Sequence, residues 1–228
     1  MDARVEREKD RGVSTIRAYL EELRKNRPSV VLAAGRSAKG GQTTAAVLQA
    51  ARAVFLREGH AGLSLRKVAD EAGIAVGNVN YYFATKRSLL EAMLREELAE
   101  YVEQHITQFE ADRDSPLEIL LNVVEFYVAN GRRSNQFFYQ MWGYAASDPT
   151  ARELIRSLYR PIGRFIYYMV KASNPELTDR RIRQIVLQLF SLEEGLKLFM
   201  GMGPEDDTAL RTAERDMRDL ARRIVEAG

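Results

Sequence analysis

The spacing of the apolar residues limits most what this chain can become. Val47, Ala51, Val54 and Phe55 lie on one helical face, Ile182, Ile185, Val186, Leu189, Leu196 and Phe199 on another, and Leu210, Met217, Leu220 and Ile224 on a third. These intervals follow the 3.6-residue period of a helix and not the two-residue alternation of a half-buried strand. The punctuation agrees. Ser115-Pro116-Leu117-Glu118 reads as N-cap, first helical residue and capping-box acid, and Asp148-Pro149, Thr178 and the acids of 204–207 read as three further starts. Pro161 is the one proline inside a helical stretch, so a kink or break is expected there, assisted by Gly163. The resulting map is all-α, with helices at 43–58, 64–72, 76–82, 85–110, 116–130, 134–144, 149–172, 178–200 and 205–227. Ahead of them, Val13, Ile16, Leu20 and Leu23 predict a short amphipathic helix, and 26–42, rich in Gly, Ser, Lys and Arg, predicts a linker.

Composition then removes function classes. The chain has no cysteine, which excludes disulfide scaffolds, Cys-ligated zinc, iron–sulfur clusters and thiol nucleophiles. Its longest apolar run, Phe165 to Val170, is far below the ~18 to 20 residues of a membrane span, and 1–23 has no apolar centre of a signal peptide. A soluble cytoplasmic protein without membrane contact is expected. The overall charge of +2 hides an uneven distribution: 24–90 carries 11 Lys or Arg against three acids, whereas 111–228 carries 17 of each sign. A basic block beside a neutral remainder points to a polyanion-binding face.

Enzyme motifs are incomplete. The stretch 29–43 resembles strand, glycine loop and helix, but Gly41 stands where a phosphate-binding loop needs Lys and Gln42 where it needs a hydroxyl. His60 and His105 fall on separate elements, without a partner at metal-ligand or triad spacing. No enzyme activity, metal or cofactor is expected.

The residues that carry chemistry lie at 64–86, two short helices joined by a tight turn. Leu65, Val68 and Ala69 form the buried face of the first helix, Gly73 ends it in a left-handed conformation, Ile74 anchors the turn, and Val79 and Phe83 bury the second. Asn78, Asn80, Tyr81 and Tyr82 are left outside, all able to hydrogen-bond and none acidic. An amide can donate to and accept from a base edge, and a tyrosine can reach phosphate or stack on sugar. Ser64, Arg66 and Lys86 are placed for backbone phosphates.

With its neighbours this helix-turn-helix resembles the DNA-binding domain of TetR-family transcriptional regulators. The resemblance covers 43–94 and rests on Ala51, Phe55 and Gly59, on Leu63-Ser64, on Val68-Ala69, Ala72-Gly73-Ile74, and on Gly77-Asn78-Val79, Tyr82-Phe83, Lys86 and Leu89-Leu90. The sequence departs from the family at Asn80, where Tyr is usual, and in the length of its amino-terminal extension.

The resemblance implies a three-helix DNA-binding domain at 43–94, preceded by an extension at 1–42 and followed by a helical ligand-binding and dimerisation domain at 95–228. It implies a homodimer joined through its last two long helices, contacting a near-palindromic double-stranded operator through Ser64, Arg66, Val76, Gly77, Asn78, Asn80, Tyr81, Tyr82 and Lys86. Arg36 and Lys39 are candidates for an arm in the adjacent minor groove. Aromatic and methionine side chains concentrated at Phe137, Phe138, Met141, Trp142 and Tyr144, and at Phe165, Tyr168 and Met169, are expected to line the site of a small apolar or aromatic effector that releases a repressor from DNA. Val102, Ile106 and Phe109 are expected to transmit the motion. A helical protein–protein adaptor with a vestigial helix-turn-helix is the other function these residues allow.

Overall fold

The computed structural model describes residues 3–25, 38–111, 115–203 and 208–227. All elements among them are helical: α1 Ala3–Lys25, α2 Ala38–Gly62, α3 Leu65–Ala72, α4 Val76–Tyr82, α5 Lys86–Ala111, α6 Pro116–Ser147, α7 Pro149–Ser173, α8 Asp179–Met202, α9 Thr208–Arg211 and α10 Ala213–Glu226. None is long and apolar enough to cross a membrane. The chain divides into two compact units: the described residues of 1–25, 104–135 and 159–228 form one, and those of 26–103 and 136–158 the other. Helices α5, α6 and α7 each contribute residues to both.

Most predicted starts carry their caps. Thr178 Oγ1 accepts from Arg181 N (3.3 Å), Asp148 Oδ1 from Thr150 N and Ala151 N (2.7 and 2.9 Å), and Ser115 Oγ from Glu118 N (3.4 Å). Glu118 does not close a capping box. Its carboxylate accepts from Arg218 and Arg222 of α10 (2.6 and 2.7 Å), and Arg218 also reaches Asn122 and Glu125, so the charge is spent on joining α6 to α10. The predicted start at 204–207 lies outside the described residues.

Two expected breaks do not occur. Residues 116–147 form one helix, without the interruption expected near Gly131. That glycine is buried, and a Cβ there would lie 2.9 Å from Lys197 Cγ, so it permits close approach of α8 rather than ending α6. Helix α7 also runs on through Pro161. Ile162, Phe165, Ile166, Met169 and Val170 after the proline are all buried, and the burial of this run offsets the missing backbone donor.

The amino-terminal helix is longer than its four-residue stripe predicted and belongs to the first unit. Ile16, Tyr19 and Leu20 are buried, the Tyr19 hydroxyl donates to the Pro161 carbonyl (3.0 Å), and its ring meets Tyr168 edge-on at 5.3 Å. Gly12 allows the contact, since a Cβ there would stand 2.7 Å from Ala172 Cβ.

Candidate nucleic-acid interface

The second unit holds the helix-turn-helix. Val47, Ala51, Val54 and Phe55 of α2 pack with Leu63, Val68, Ala69, Val79, Phe83, Leu89 and Leu90 in one core, each 5% exposed or less. Ser64 caps α3, its hydroxyl accepting from Lys67 N (3.3 Å). Gly73 closes α3 at φ 66°, ψ 31°, and Ile74 N donates back to Ala69 O (3.0 Å), the left-handed ending that the sequence predicts. Thr85 and Ser88 cap α5 reciprocally, Ser88 N donating to Thr85 Oγ1 and Thr85 N to Ser88 Oγ (3.0 and 3.2 Å). A second positive φ, 67° at Gly59, bends α2 in its last turn, and a Cβ there would meet Gln140.

These contacts set what α4 presents. Val79 is its one buried residue, whereas Val76, Gly77, Asn78, Asn80 and Tyr81 are exposed, Tyr81 by 82%, and Tyr82 is half-buried with its ring against Tyr81 (5.1 Å, 88°). No residue of α4 is acidic, and Arg66 stands exposed on the first turn of α3. Lys86 is half-buried, its Nζ donating to Ala61 O (3.3 Å). Burial lowers the Lys86 ammonium from its ordinary value, and neighbouring Lys67 lowers it further. Lys67 itself pairs with Glu58 and donates to Gly62 O. A phosphate oxygen near Lys86 would offset both the desolvation and the repulsion. Arg36 lies outside the described residues, as do the side chains of Lys39, Val102 and His105.

The expected effector residues fall in two places. Phe137, Phe138, Met141, Trp142 and Tyr144 lie in the second unit, where packing takes them up: Phe137 meets Phe55 edge-on (5.8 Å) beneath Arg52, Phe138 tilts on Trp142, and Tyr144 stacks on His60 (4.6 Å). Phe165, Tyr168 and Met169 lie in the first. Phe165 meets Phe109 at 6.5 Å, Ile106 is also buried there, and Met169 is fully buried. Tyr168 lines an open groove of about 400 Å³ with Gly163, Arg164, Tyr167, Arg183 and Val186.

The first unit also contains a polar cluster that the sequence reading missed. Glu193 is 6% exposed and Lys197 3%, their charges 2.6 Å apart, and Glu194 lies 3.3 Å from the same ammonium while accepting from the Tyr159 hydroxyl (2.9 Å). Burial pushes the Glu193 carboxyl well above the usual carboxylate range, with Lys197 opposing and Glu194 adding to the rise. A signal for it exists in the sequence: Glu193 and Lys197 continue the apolar stripe of Ile182, Ile185 and Leu189 at helical spacing, so both occupy core positions.

Residues 47–93 match the family described as bacterial regulatory proteins, tetR family. The chain is 24% identical over 165 residues to the HTH-type transcriptional regulator BetI of Vibrio campbellii, covering 70% of this chain and 80% of that one. It superposes with TM-score 0.68 on a transcriptional regulator from Saccharomonospora viridis solved with choline, at 18% identity, covering 78% of this chain and 95% of the other. For the Bacillus subtilis regulator FadR in complex with stearoyl-CoA the TM-score is 0.66, at 14% identity, covering 78% and 96%. The capped α3, the glycine turn and the acid-free face of α4 all fall within 47–93, so this stretch is a helix-turn-helix of the kind that tetR-family regulatory proteins carry.

Proposed function

We propose that the chain is a cytoplasmic repressor that binds a near-palindromic operator as a homodimer and releases it when a small effector enters the first unit. The exposed, acid-free outer face of α4 carries the DNA reading. Asn78, Asn80 and Tyr81 read base edges from the major groove, with Val76 and Gly77 allowing close approach. Ser64, Arg66, Tyr82 and Lys86 hold phosphates on either side. Residues 43–94 act as the reader, 95–228 as the effector and dimer part, and Arg36 and Lys39 extend the contact.

The second copy docks on the outer face of α8. Leu187, Leu198, Phe199 and Met202 are exposed by 68%, 39%, 62% and 66%, a concentration of large apolar side chains that a soluble monomer seldom leaves uncovered. The apolar face of α10 contributes less, because Met217, Ala221 and Val225 are already buried within their own unit. Phe165, Tyr168 and Met169 flank the effector. The aromatic run from Phe137 to Tyr144 conveys its arrival along α6, which continues without a break from Tyr127 to the residues packed under α2. The effector acts only to the extent that it prefers one of two states. Similar regulators hold ligands as different as choline and stearoyl-CoA, so the effector's class must come from this chain's own residues.

Fluorescence anisotropy with the DNA upstream of the protein's own gene tests this reading. Cognate DNA is expected to bind about 10³-fold or more tighter than random DNA at physiological salt. Arg66→Ala is expected to weaken both and to reduce the salt slope by about one, whereas Asn78→Ala narrows the gap between them. Equal, salt-insensitive affinity for both DNAs would overturn the proposal.

A further inference from the structure

Part of the reader's basic surface is engaged within the molecule itself. Arg57 and Glu58 near the end of α2, Lys67 and Glu71 of α3 and Lys86 of α5 form one line of charges inside the second unit. Arg57 donates to Glu71 (2.9 Å) and reaches Glu58 (3.5 Å), and Glu58 in turn accepts from the Lys67 ammonium. Of the three acids within 24–90, two therefore stand in this line. Gly62 allows its last link. A Cβ there would lie 2.7 Å from Glu58 Cβ and 3.2 Å from Glu58 Oε2, so the carboxylate crosses the α2–α3 joint where no side chain stands.

Lys67 is placed like a phosphate ligand. It follows Arg66 on the first turn of α3, its side chain is 48% exposed, and it donates to Gly62 O (3.0 Å), while Lys86 donates to the adjoining Ala61 O (3.3 Å). Two ammoniums thus converge on consecutive carbonyls, one from α3 and one from α5. Burial, and then repulsion from Lys67, lowers Lys86, and the hydrogen bond from Lys67 holds the Glu58 carboxyl below its ordinary value. A DNA phosphate and the Glu58 carboxylate are alternative anionic acceptors for the same ammonium. An exposed pair of this kind is weak, so the exchange is open. Arg57 eases it further, because Glu58 keeps a cation after Lys67 leaves.

We propose that Glu58 is an internal competitor of the DNA backbone: it holds Lys67 off a phosphate beside Lys86 and so limits how tightly the reader grips any duplex. This rests on the DNA-binding reading above and gives one acid of the reader a part in tuning it. A backbone contact carries no sequence information and adds the same free energy at every site. Withholding one lowers retention on random DNA and leaves the ratio between cognate and random sites as it was.

Fluorescence anisotropy on the full chain, with the upstream duplex and a random duplex at several salt concentrations, provides the test. Glu58→Gln is expected to tighten both duplexes by about three- to tenfold and to steepen the salt slope by about one, with the ratio between them unchanged. In Glu58→Gln combined with Lys67→Gln the gain is expected to vanish. Unchanged or weaker binding by folded Glu58→Gln would overturn the proposal, since a carboxylate that merely braces the joint would give that result. A gain that survives in the double variant would overturn it too, because Glu58 would then repel DNA in general rather than compete for Lys67. If thermal melting shows that Glu58→Gln does not fold, Glu58→Asp, which keeps the charge but shortens its reach, takes its place with a smaller expected gain and the same outcomes against it. The regulator reading fails separately, when the wild-type chain binds both duplexes equally; the effect of Glu58→Gln is read on either one.

Discussion

Glu193 shows how a single side chain can couple this molecule to pH. Its carboxyl is raised by burial, and it faces Lys197 and Glu194 from its own helix, Tyr127 from α6 and, through Glu194, Tyr159 from α7. A carboxyl raised in the folded state holds a proton that the unfolded chain has already released. Stability is therefore lost as pH rises from the ordinary carboxylate range toward the raised value. Glu58, Glu110, Glu118, Asp148 and Glu214 are shifted the opposite way by their partners, so their contributions change at lower pH. Glu97 is raised as well, by burial, so the wild-type slope alone does not isolate Glu193. Thermal melts between pH 5 and 8 are expected to show a fall in stability that Glu193→Gln makes shallower. An unchanged slope in that variant would remove Glu193 as its source.

At the scale of elements, α1 and α3 illustrate two ways of holding a helix. Helix α3 has eight residues, too few to persist alone, and depends on the Ser64 cap, the Gly73 ending and the burial of Val68 and Ala69. Ser64→Ala is expected to cost about 1 kcal/mol in urea unfolding, the usual worth of an N-cap. A larger loss of DNA affinity than of stability in the same variant would give the hydroxyl a phosphate as well as a backbone partner. Helix α1 instead depends on its tertiary seat, Ile16, Tyr19 and Leu20 with the bond to Pro161. Tyr19→Phe is expected to lower stability by about 1 kcal/mol, and removal of 1–25 to lower the melting temperature further while leaving cognate DNA selectivity in place. Lost selectivity in the truncated chain would instead give the extension a direct part in reading DNA.

For the whole molecule, oligomeric state decides whether two recognition helices can address one operator. Leu187→Glu combined with Phe199→Glu places charge on the uncovered face of α8, where both positions are largely exposed and the single chain should fold unchanged. Sedimentation or light scattering is expected to shift from dimer to monomer. Operator affinity is expected to fall by at least tenfold, because each half-site is then bound alone. A variant that stays dimeric would move the interface to another face.

The sequence determined the helical class, most boundaries and the reader, because those depend on local physics: period, caps, a glycine able to adopt positive φ, and side chains without acid at one spacing. Ser64, Gly73, Val79 and the outer face of α4 were legible in this way. Tertiary structure alone decided whatever depended on a partner distant in the chain. Gly131 reads as a break until Lys197 is seen against it, Pro161 as a possible end of its helix until α7 is seen to run on through it, and Glu118 as a capping acid until Arg218 and Arg222 claim it. The aromatic residues of α6 are a bare cluster in the sequence, and only the fold shows Phe55 and His60 packed against two of them. Glu193 and Lys197 are ordinary charges in one dimension. Only packing from α6 and α7 removes their water, and desolvation turns a pair of common residues into a buried ion pair.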